Sequence, residues 1–415
     1  MTSSRVVIVG AGMAGLRSAE ALRKSGFDGE LVVVGEEPHM PYNRPPLSKE
    51  VLASEVEHSR VAFPLRASMG EVDWRLGAPA VSVDLAKTEV GLADGSSITY
   101  DGLVIATGLR PRRLNLPGPP PRAASGRHVL RTLEDAAQLR KDLWPGQRVV
   151  VLGAGFIGCE VAATARALGC EVSCVAIDEY PMVRPLGAAL GAEMQRRHEA
   201  QGVEFHLGVG VAECTGEDRV TGVVLTDGQT LAADVVVEAI SSHCNTEWLE
   251  SSGLDRADGL LCDGVLRVTR EDGRVVDGVH VVGDLARFPN PLFDDVPRRV
   301  EHWNIPTETG KRVGPALASY LRGEGYEPVL ETPWRPIPAF WSDQYDIRLQ
   351  SYGMPGLADD GGIRVLEGEL TGEVAVGYFR GDDLVGIVGL GMLPRINSYR
   401  ALVGAPLPAD HVTGE

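Results

Sequence analysis

Val6-Val7-Ile8-Val9-Gly10-Ala11-Gly12-Met13-Ala14-Gly15 decides the fold of this chain. A continuous run of β-branched residues enters glycines spaced G-x-G-x-x-G, and Leu16 to Leu22 read as the start of a helix. Strand, tight turn and helix N-terminus follow in that order. Gly10 permits the turn, Gly12 lets the backbone approach a pyrophosphate, and Gly15 lets helix and strand pack closely, so the helix dipole and free N–H groups face an anion. A second strand, Leu31-Val32-Val33-Val34-Gly35, ends at Glu36, where an acid binds ribose hydroxyls in such a unit. An ordinary glycine turn in a βαβ unit is the alternative, and Glu36 tells against it.

The pattern recurs at Arg148-Val149-Val150-Val151-Leu152-Gly153-Ala154-Gly155-Phe156-Ile157-Gly158-Cys159-Glu160. Two fingerprints in one chain imply two dinucleotide sites, most simply a bound flavin and a mobile nicotinamide. The next strand of this copy runs Val172-Ser173-Cys174-Val175-Ala176-Ile177-Asp178-Glu179. Its ribose-acid position reads as Ala176, with Asp178 and Glu179 slightly late and Arg184 the nearest arginine for a 2′-phosphate. NADH and NADPH therefore both stay open.

Composition bounds the function. The chain has 415 residues, 44% hydrophobic and 23% charged, which suits two or three globular domains. A net charge of −17 argues against general nucleic-acid binding. No apolar run of about 18 residues exists, and a strand begins within the first few residues, so neither a membrane span nor a signal peptide is expected, and the chain reads as cytoplasmic. The cysteines Cys159, Cys170, Cys174, Cys214, Cys244 and Cys262 contain no C-x-x-C pair. Buried reduced thiols are expected, with neither a metal site nor a redox dithiol.

Further features lie along the chain. Pro41, Pro45 and Pro46 predict an extended loop carrying Arg44 and Lys49, sited to cover a cofactor. Leu103-Val104-Ile105-Ala106-Thr107-Gly108 repeats the strand-to-glycine pattern, and Val279-His280-Val281-Val282-Gly283-Asp284 ends a buried strand on a carboxylate, at the edge where open α/β sheets bind ligands. A polar and aromatic cluster, Arg298, Arg299, Glu301, His302 and Trp303, precedes a helix expected over 307–322. From residue 326 the texture changes to aromatic strands, including Phe340-Trp341-Ser342-Asp343-Gln344, and predicts a C-terminal α+β domain.

The ordered set of both glycine motifs with Pro45-Pro46-Leu47-Ser48-Lys49, Ala106-Thr107-Gly108, Leu130-Arg131-Thr132, Gly283-Asp284, Glu301-His302-Trp303 and Phe340-Trp341-Ser342-Asp343-Gln344 resembles the putidaredoxin reductase-like, FAD-dependent ferredoxin reductases of oxygenase and cytochrome P450 systems. The resemblance implies an α/β, glutathione-reductase-like, two-dinucleotide-binding flavoprotein with a C-terminal α+β domain. It divides the chain into an FAD domain of 1–112 and 247–325, an NAD(P) domain of 113–246 and an interface domain of 326–415. It places Gly10, Gly12, Ala14 and Gly15 at the FAD pyrophosphate, Glu36 at the ribose, and Arg44 and Lys49 along the flavin. Ala80, Ala106, Thr107, Gly108 and Arg131 join the FAD site, with Asp284 near the ribityl chain and Trp303 beside the isoalloxazine. Gly153, Gly155, Ile157, Gly158, Glu160, Asp178 and Ser241 would meet the nicotinamide cofactor, and Lys49 and Glu160 would pair beside the flavin N5.

The implied activity moves electrons from NADH or NADPH through FAD to a [2Fe–2S] ferredoxin serving an oxygenase or a cytochrome P450, without nucleic acid or membrane. Glu238-Ala239-Ile240-Ser241 departs from the glycines the family carries near the nicotinamide, with Ser241 expected to crowd it, and Pro306 is expected to interrupt the stretch after Trp303. A basic docking patch is expected from Arg298, Arg299, Lys311, Arg312 and Arg335. The alternatives are an NAD(P)H oxidase-type flavoenzyme, and a redox-switched, non-catalytic flavoprotein resembling apoptosis-inducing factor.

Overall fold

The computed structural model describes residues 4–408, so the last seven residues of the expected C-terminal domain lie outside it. Two compact units are present. The first runs to Asn43 and resumes over Val61–Arg110 and Cys244–Ala339; the second comprises Arg44–Arg60, Pro111–His243 and the chain from Phe340 on. In chain order the elements that carry the argument are β1 (Arg5–Val9), α1 (Met13–Lys24), β2 (Glu30–Val34), β3 (Asp73–Arg75), β4 (Gly102–Ile105), β5 (Arg127–His128), α2 (Leu133–Asp142), β6 (Arg148–Leu152), α3 (Phe156–Ala167), β7 (Glu171–Ala176), α4 (Val183–Ala200), β8 (Val203–Leu207), β9 (Val235–Glu238), β10 (Arg267–Thr269), β11 (Val275–Val281), α5 (Ile305–Leu321), β12 (Ala339–Gln344), β13 (Ile347–Gly353), β14 (Ile363–Gly368), β15 (Val374–Arg380), β16 (Asp383–Leu390) and α6 (Leu393–Arg400).

In the first unit the sheet order is β10-β11-β4-β1-β2-β3, parallel except for β10. Val6, Val7, Ile8, Leu103, Val104 and Ile105 are fully buried, which is why these strands read as unbroken apolar runs rather than alternating ones. On α1, Leu16, Ala19 and Leu22 recur every three residues and are likewise buried. The opposite partner of α1 is α5. Gly310 and Gly314 lie one turn apart on α5, and a β-carbon on Gly314 would come 2.4 Å from Ala21 Cβ and 2.5 Å from its carbonyl carbon. The two helices thus touch backbone to backbone. Helix α5 starts at Ile305 with Pro306 in its first turn, where the missing N–H has no intrahelical acceptor. Pro306 therefore opens the helix, correcting the expected interruption.

In the second unit the parallel order is β8-β7-β6-β9-β5. Each unit also carries a three-stranded antiparallel meander, spanning 80–99 in the first and 211–232 in the second, so the internal copy extends beyond the glycine turn. From Phe340 the chain forms the sheet β12-β13-β16-β15-β14, with α6 after it. The proline segment differs from the extended loop expected: Pro45–Ser48 closes one 3-10 turn, followed by a short helix over Glu50–Ala53. No helix among the described residues is long and apolar enough to cross a membrane.

The α1–α5 contact is testable by adding one methyl. Gly314→Ala should lose about 1–3 kcal/mol in denaturant unfolding, the usual cost of overpacking a filled contact. Gly264→Ala, whose methyl would meet nothing within 4 Å, should change stability by less than about 0.5 kcal/mol.

Candidate functional site

The first glycine turn is set by close approach. Gly10 has φ +119, and a β-carbon there would lie 2.1 Å from the Ala106 carbonyl oxygen; one on Gly15 would lie 2.0 Å from the Gly10 carbonyl oxygen. Only glycine fits either place. Gly12 differs: a β-carbon there would meet nothing within 4 Å. Helix α1 begins at this glycine with no side-chain cap and no acid in its first turn, so no capping side chain satisfies its first N–H groups. By contrast, Thr132 and Asp135 close a capping box on α2. An open, uncapped helix start beside glycine fits a pyrophosphate.

The same unit carries other expected residues, of which the segments at Ala106 and Gly283 approach that turn. Glu36 is exposed two positions past the end of β2. A β-carbon on Gly283 would lie 2.9 Å from Ala14 Cβ, so the Gly283-Asp284 turn stands directly against the start of α1. Thr309 on α5 fixes that turn by accepting the Gly283 N–H at 2.9 Å. The Ala106-Thr107-Gly108 turn is held by Asn245, whose Nδ2 donates to the Thr107 carbonyl at 2.9 Å while Thr107 Oγ1 donates to the Asn245 carbonyl at 2.7 Å. Ala80 opens the meander opposite Leu92. Trp303, 38% exposed, donates from Nε1 to Asn43 Oδ1 at 3.3 Å, and its neighbour His302 is pushed by burial down to about 4. Nothing in the local sequence marks Asn245 or Thr309, because each side chain locks a turn distant in the chain.

The second unit repeats the turn almost atom for atom. Gly153 has φ +103 and would place a β-carbon 2.3 Å from the Ala239 carbonyl oxygen; Gly158 would place one 2.0 Å from the Gly153 carbonyl oxygen; Gly155 meets open space. Helix α3 is again without a side-chain cap, and Ile157 in its first turn is 48% exposed.

Register then identifies the counterpart of Glu36 in the second unit. Val9 pairs Val34 and Leu152 pairs Val175, so the counterpart of Glu36, two residues beyond, is Ile177 rather than Ala176. Ile177 is 69% exposed, and the adjacent Asp178 is engaged by Arg184 at 3.0 Å. Because the Ala106 and Ala239 carbonyls play equal parts, Ser241 is the counterpart of Gly108; both have positive φ, +61 at Gly108 and +91 at Ser241, where a side chain is strained. The Ser241 carbonyl accepts the Arg112 N–H at 3.0 Å. Glu238 turns inward: its carboxylate pairs with the buried Arg127 guanidinium at 2.8 Å and accepts the Leu114 N–H at 2.6 Å.

Also within the second unit, Lys49 Nζ lies 2.6 Å from Glu160 Oε2, with Glu160 6% exposed on α3. Ser48 donates to the same oxygen at 2.5 Å and Ser342 to Oε1 at 2.6 Å. Arg44 donates to the Arg131 carbonyl at 2.7 Å, which brings these two expected residues together. The expected Lys49–Glu160 pair is present; the two serines that complete it lie 112 and 182 positions from Glu160.

Residues 4–310 match the model of the pyridine nucleotide-disulphide oxidoreductases, and residues 339–413 match a reductase C-terminal model. The chain belongs to the pyridine nucleotide-disulphide oxidoreductase family. It is 37% identical to a probable ferredoxin reductase of Castellaniella defragrans, over 86% of this chain and 84% of the relative. Identity is 36% to the ferredoxin–NAD(+) reductase component of the p-cumate 2,3-dioxygenase system of Pseudomonas putida, over 89% of this chain and 85% of that protein. Among solved structures it is similar to the covalent putidaredoxin reductase–putidaredoxin complex, with a TM-score of 0.87 and 30% identity over 98% of this chain and 94% of that one. The ferredoxin reductase for the CYP199A2 system of Rhodopseudomonas palustris also superimposes at a TM-score of 0.87, with 31% identity over 99% and 97%.

Despite the family's name, all six cysteines of this oxidoreductase are free, and five of them are buried. Burial pushes the Cys159 and Cys262 thiols well above their ordinary value and Cys174 up to about 12. The expected basic patch is also corrected. Arg298 pairs with Asp294, Arg299 with Asp258 and Glu301, and Lys311 with Glu308, while Arg312 is buried and donates to the Gly264 and Thr332 carbonyls. Their charges are answered internally. Of the five cations, Arg335 is the exposed one without an ion pair among the described residues.

In native protein a thiol-specific aromatic disulfide should titrate at most one cysteine, Cys244, and all six only after unfolding. Rapid release of two or more equivalents from native protein would contradict this burial.

Proposed function

We propose that this chain is an FAD-dependent NAD(P)H:ferredoxin oxidoreductase, passing electrons to a [2Fe–2S] ferredoxin that serves an oxygenase such as a cytochrome P450. The carrying observation is the duplicated open turn at Gly12 and Gly155, one cradle for a resident and one for an exchanging dinucleotide. Relatives named as ferredoxin reductases along nearly the whole chain supply the electron acceptor. FAD is assigned to 1–112 and 247–325, the nicotinamide to 113–246, and an interface role to 326–415. Six free thiols suit a reducing compartment, the cytoplasm.

In this reading Gly10, Gly12, Ala14 and Gly15 hold the FAD pyrophosphate and Glu36 its ribose. Ala80, Ala106, Thr107, Gly108, Arg44, Arg131, Asp284 and Trp303 complete the hold, and Gly153, Gly155, Ile157, Gly158, Asp178 and Ser241 receive the nicotinamide cofactor. When bound, FAD supplies the conversion of a hydride into single electrons. The chain supplies orientation: its turns fix both pyrophosphates, and the Lys49–Glu160 pair sets the charge beside the flavin. No general acid or base is required of it.

Mixing the FAD-loaded protein anaerobically with NADH or NADPH, then adding a [2Fe–2S] ferredoxin and cytochrome c, should give rapid bleaching of the flavin and ferredoxin-dependent cytochrome reduction. Reoxidation by oxygen alone would instead identify an oxidase, and slow bleaching to a long-lived charge-transfer species a redox-switched binder.

Coenzyme choice has its own test. Ile177→Glu restores the carboxylate that Glu36 supplies in the first copy, and should tighten NADH about tenfold, the worth of one charge-assisted hydrogen bond, while weakening NADPH. Steady-state kcat/KM for both coenzymes reads this directly, and unchanged ratios would remove Ile177 from the ribose site.

A further inference from the structure

The Glu160 carboxylate is the end point of a longer run of hydrogen bonds, all within the second unit. Ser342 lies on β12 with no exposed surface, and Gln344, two residues on and so on the same face of the strand, is 1% exposed. Gln344 Nε2 donates to Ser342 Oγ at 2.9 Å, and Gln344 Oε1 lies 2.7 Å from Nε2 of His198, a fully buried residue of α4. The Tyr345 hydroxyl stands 3.4 Å from His198 Nδ1, carried there by a two-residue turn in which Tyr345 has φ +57.

Donor counting gives this run one direction. A carboxylate only accepts, so the single Ser342 proton must go to Glu160 Oε1, and Ser342 must then accept from Gln344. That commits the Gln344 amide: its nitrogen faces Ser342 and its oxygen faces His198. His198 must consequently carry its proton on Nε2 and leave Nδ1 as the acceptor for Tyr345. Burial holds His198 below its ordinary value, in keeping with a neutral ring. Reversing the amide would set Ser342 between two acceptors with one proton, so the Glu160 carboxylate fixes the Gln344 amide and, through it, the His198 tautomer.

Charge balance does not need this arrangement, because Lys49 already answers Glu160 at 2.6 Å. Packing does not favour it either, since buried polar side chains cost desolvation that apolar ones would avoid. What the run adds is a fixed direction for Oε1, while Oε2 is shared by Lys49 and Ser48.

We propose that Ser342, Gln344 and His198 are positioning residues for Glu160, so that strand β12 and helix α4 set the geometry of the charge beside the flavin. The proposal rests on the reading that Glu160 acts at the flavin.

The test uses the full-length, FAD-loaded protein and its flavin midpoint potential, measured by equilibration with a reference dye. Glu160→Gln should shift the potential, and Ser342→Ala and Gln344→Met should shift it in the same direction by less. In the Glu160→Gln background neither should add a further shift. Flavin reduction by NADH should slow roughly 2- to 10-fold in the single variants, about the worth of one hydrogen bond. Gln344→Met preserves volume and carries the test if Ser342→Ala fails to fold. Histidine-selective nitrogen NMR should find His198 neutral with its proton on Nε2. Full shifts persisting in the Glu160→Gln background, single variants without effect while Glu160→Gln has one, or a proton on Nδ1 would each overturn the proposal. If Glu160→Gln itself leaves the potential unchanged, the flavin-side reading of Glu160 falls first and this inference with it.

Discussion

A β-carbon on Gly10 would come within 2.1 Å of one carbonyl oxygen, and a β-carbon on Gly153 within 2.3 Å of its counterpart. Those two approaches of bare backbone to bare backbone are the constraint on which the remaining structure depends. Each brings the end of the first strand of a sheet against the end of its neighbour, Ala106 in one unit and Ala239 in the other. At the next glycine, Gly12 or Gly155, a β-carbon would meet no atom of the described residues within 4 Å. Helices α1 and α3 start at those glycines without side-chain caps, an arrangement whose N–H groups and dipole suit an anion.

The two copies keep the turn and differ beyond it. Gly10 and Gly15, with their counterparts Gly153 and Gly158, are kept because a β-carbon at any of the four would collide with a backbone carbonyl. Beyond the turn the first copy has Glu36 and Gly108, whereas the second has Ile177 and a strained Ser241. Glu238, on the same strand as the Ala239 approach, has its carboxylate committed to a fully buried arginine. Removing either partner of such a pair strands a charge in the interior at a cost of about 3–5 kcal/mol. The second turn is therefore braced by an ion pair that has no equivalent role to play at the surface.

What the sequence makes legible follows from which forces are local. Glycines at fixed spacing after an apolar run encode a steric event spanning ten residues, and both events were readable, as was the strand ending at Gly283-Asp284. Interactions that join distant segments leave no such trace: Asn245 grips Thr107 across 138 positions, and Ser342 reaches Glu160 across 182. The sequence alone points to Ala176 rather than Ile177 because strand register becomes visible only when the two sheets are laid side by side. Arg299 reads as free charge because its acid Asp258 lies 41 positions away, whereas Asp294 stands only four residues from Arg298 and its pairing is local. Pro306 read as a break, yet a proline in a first helical turn is a start.

Strand order carries a last consequence, for the sequence of events during synthesis. In the first unit β11 pairs directly with β4, although Val279 follows its partner Leu103 only after the whole of the second unit's parallel sheet has been made. Until that segment leaves the ribosome, β4 presents an unpaired, wholly apolar edge, the kind of surface that invites pairing with another chain. The second unit's parallel sheet has no such wait, since all five strands lie between Arg127 and Glu238. The first unit's sheet thus begins to form before the second unit's parallel sheet and is completed after it.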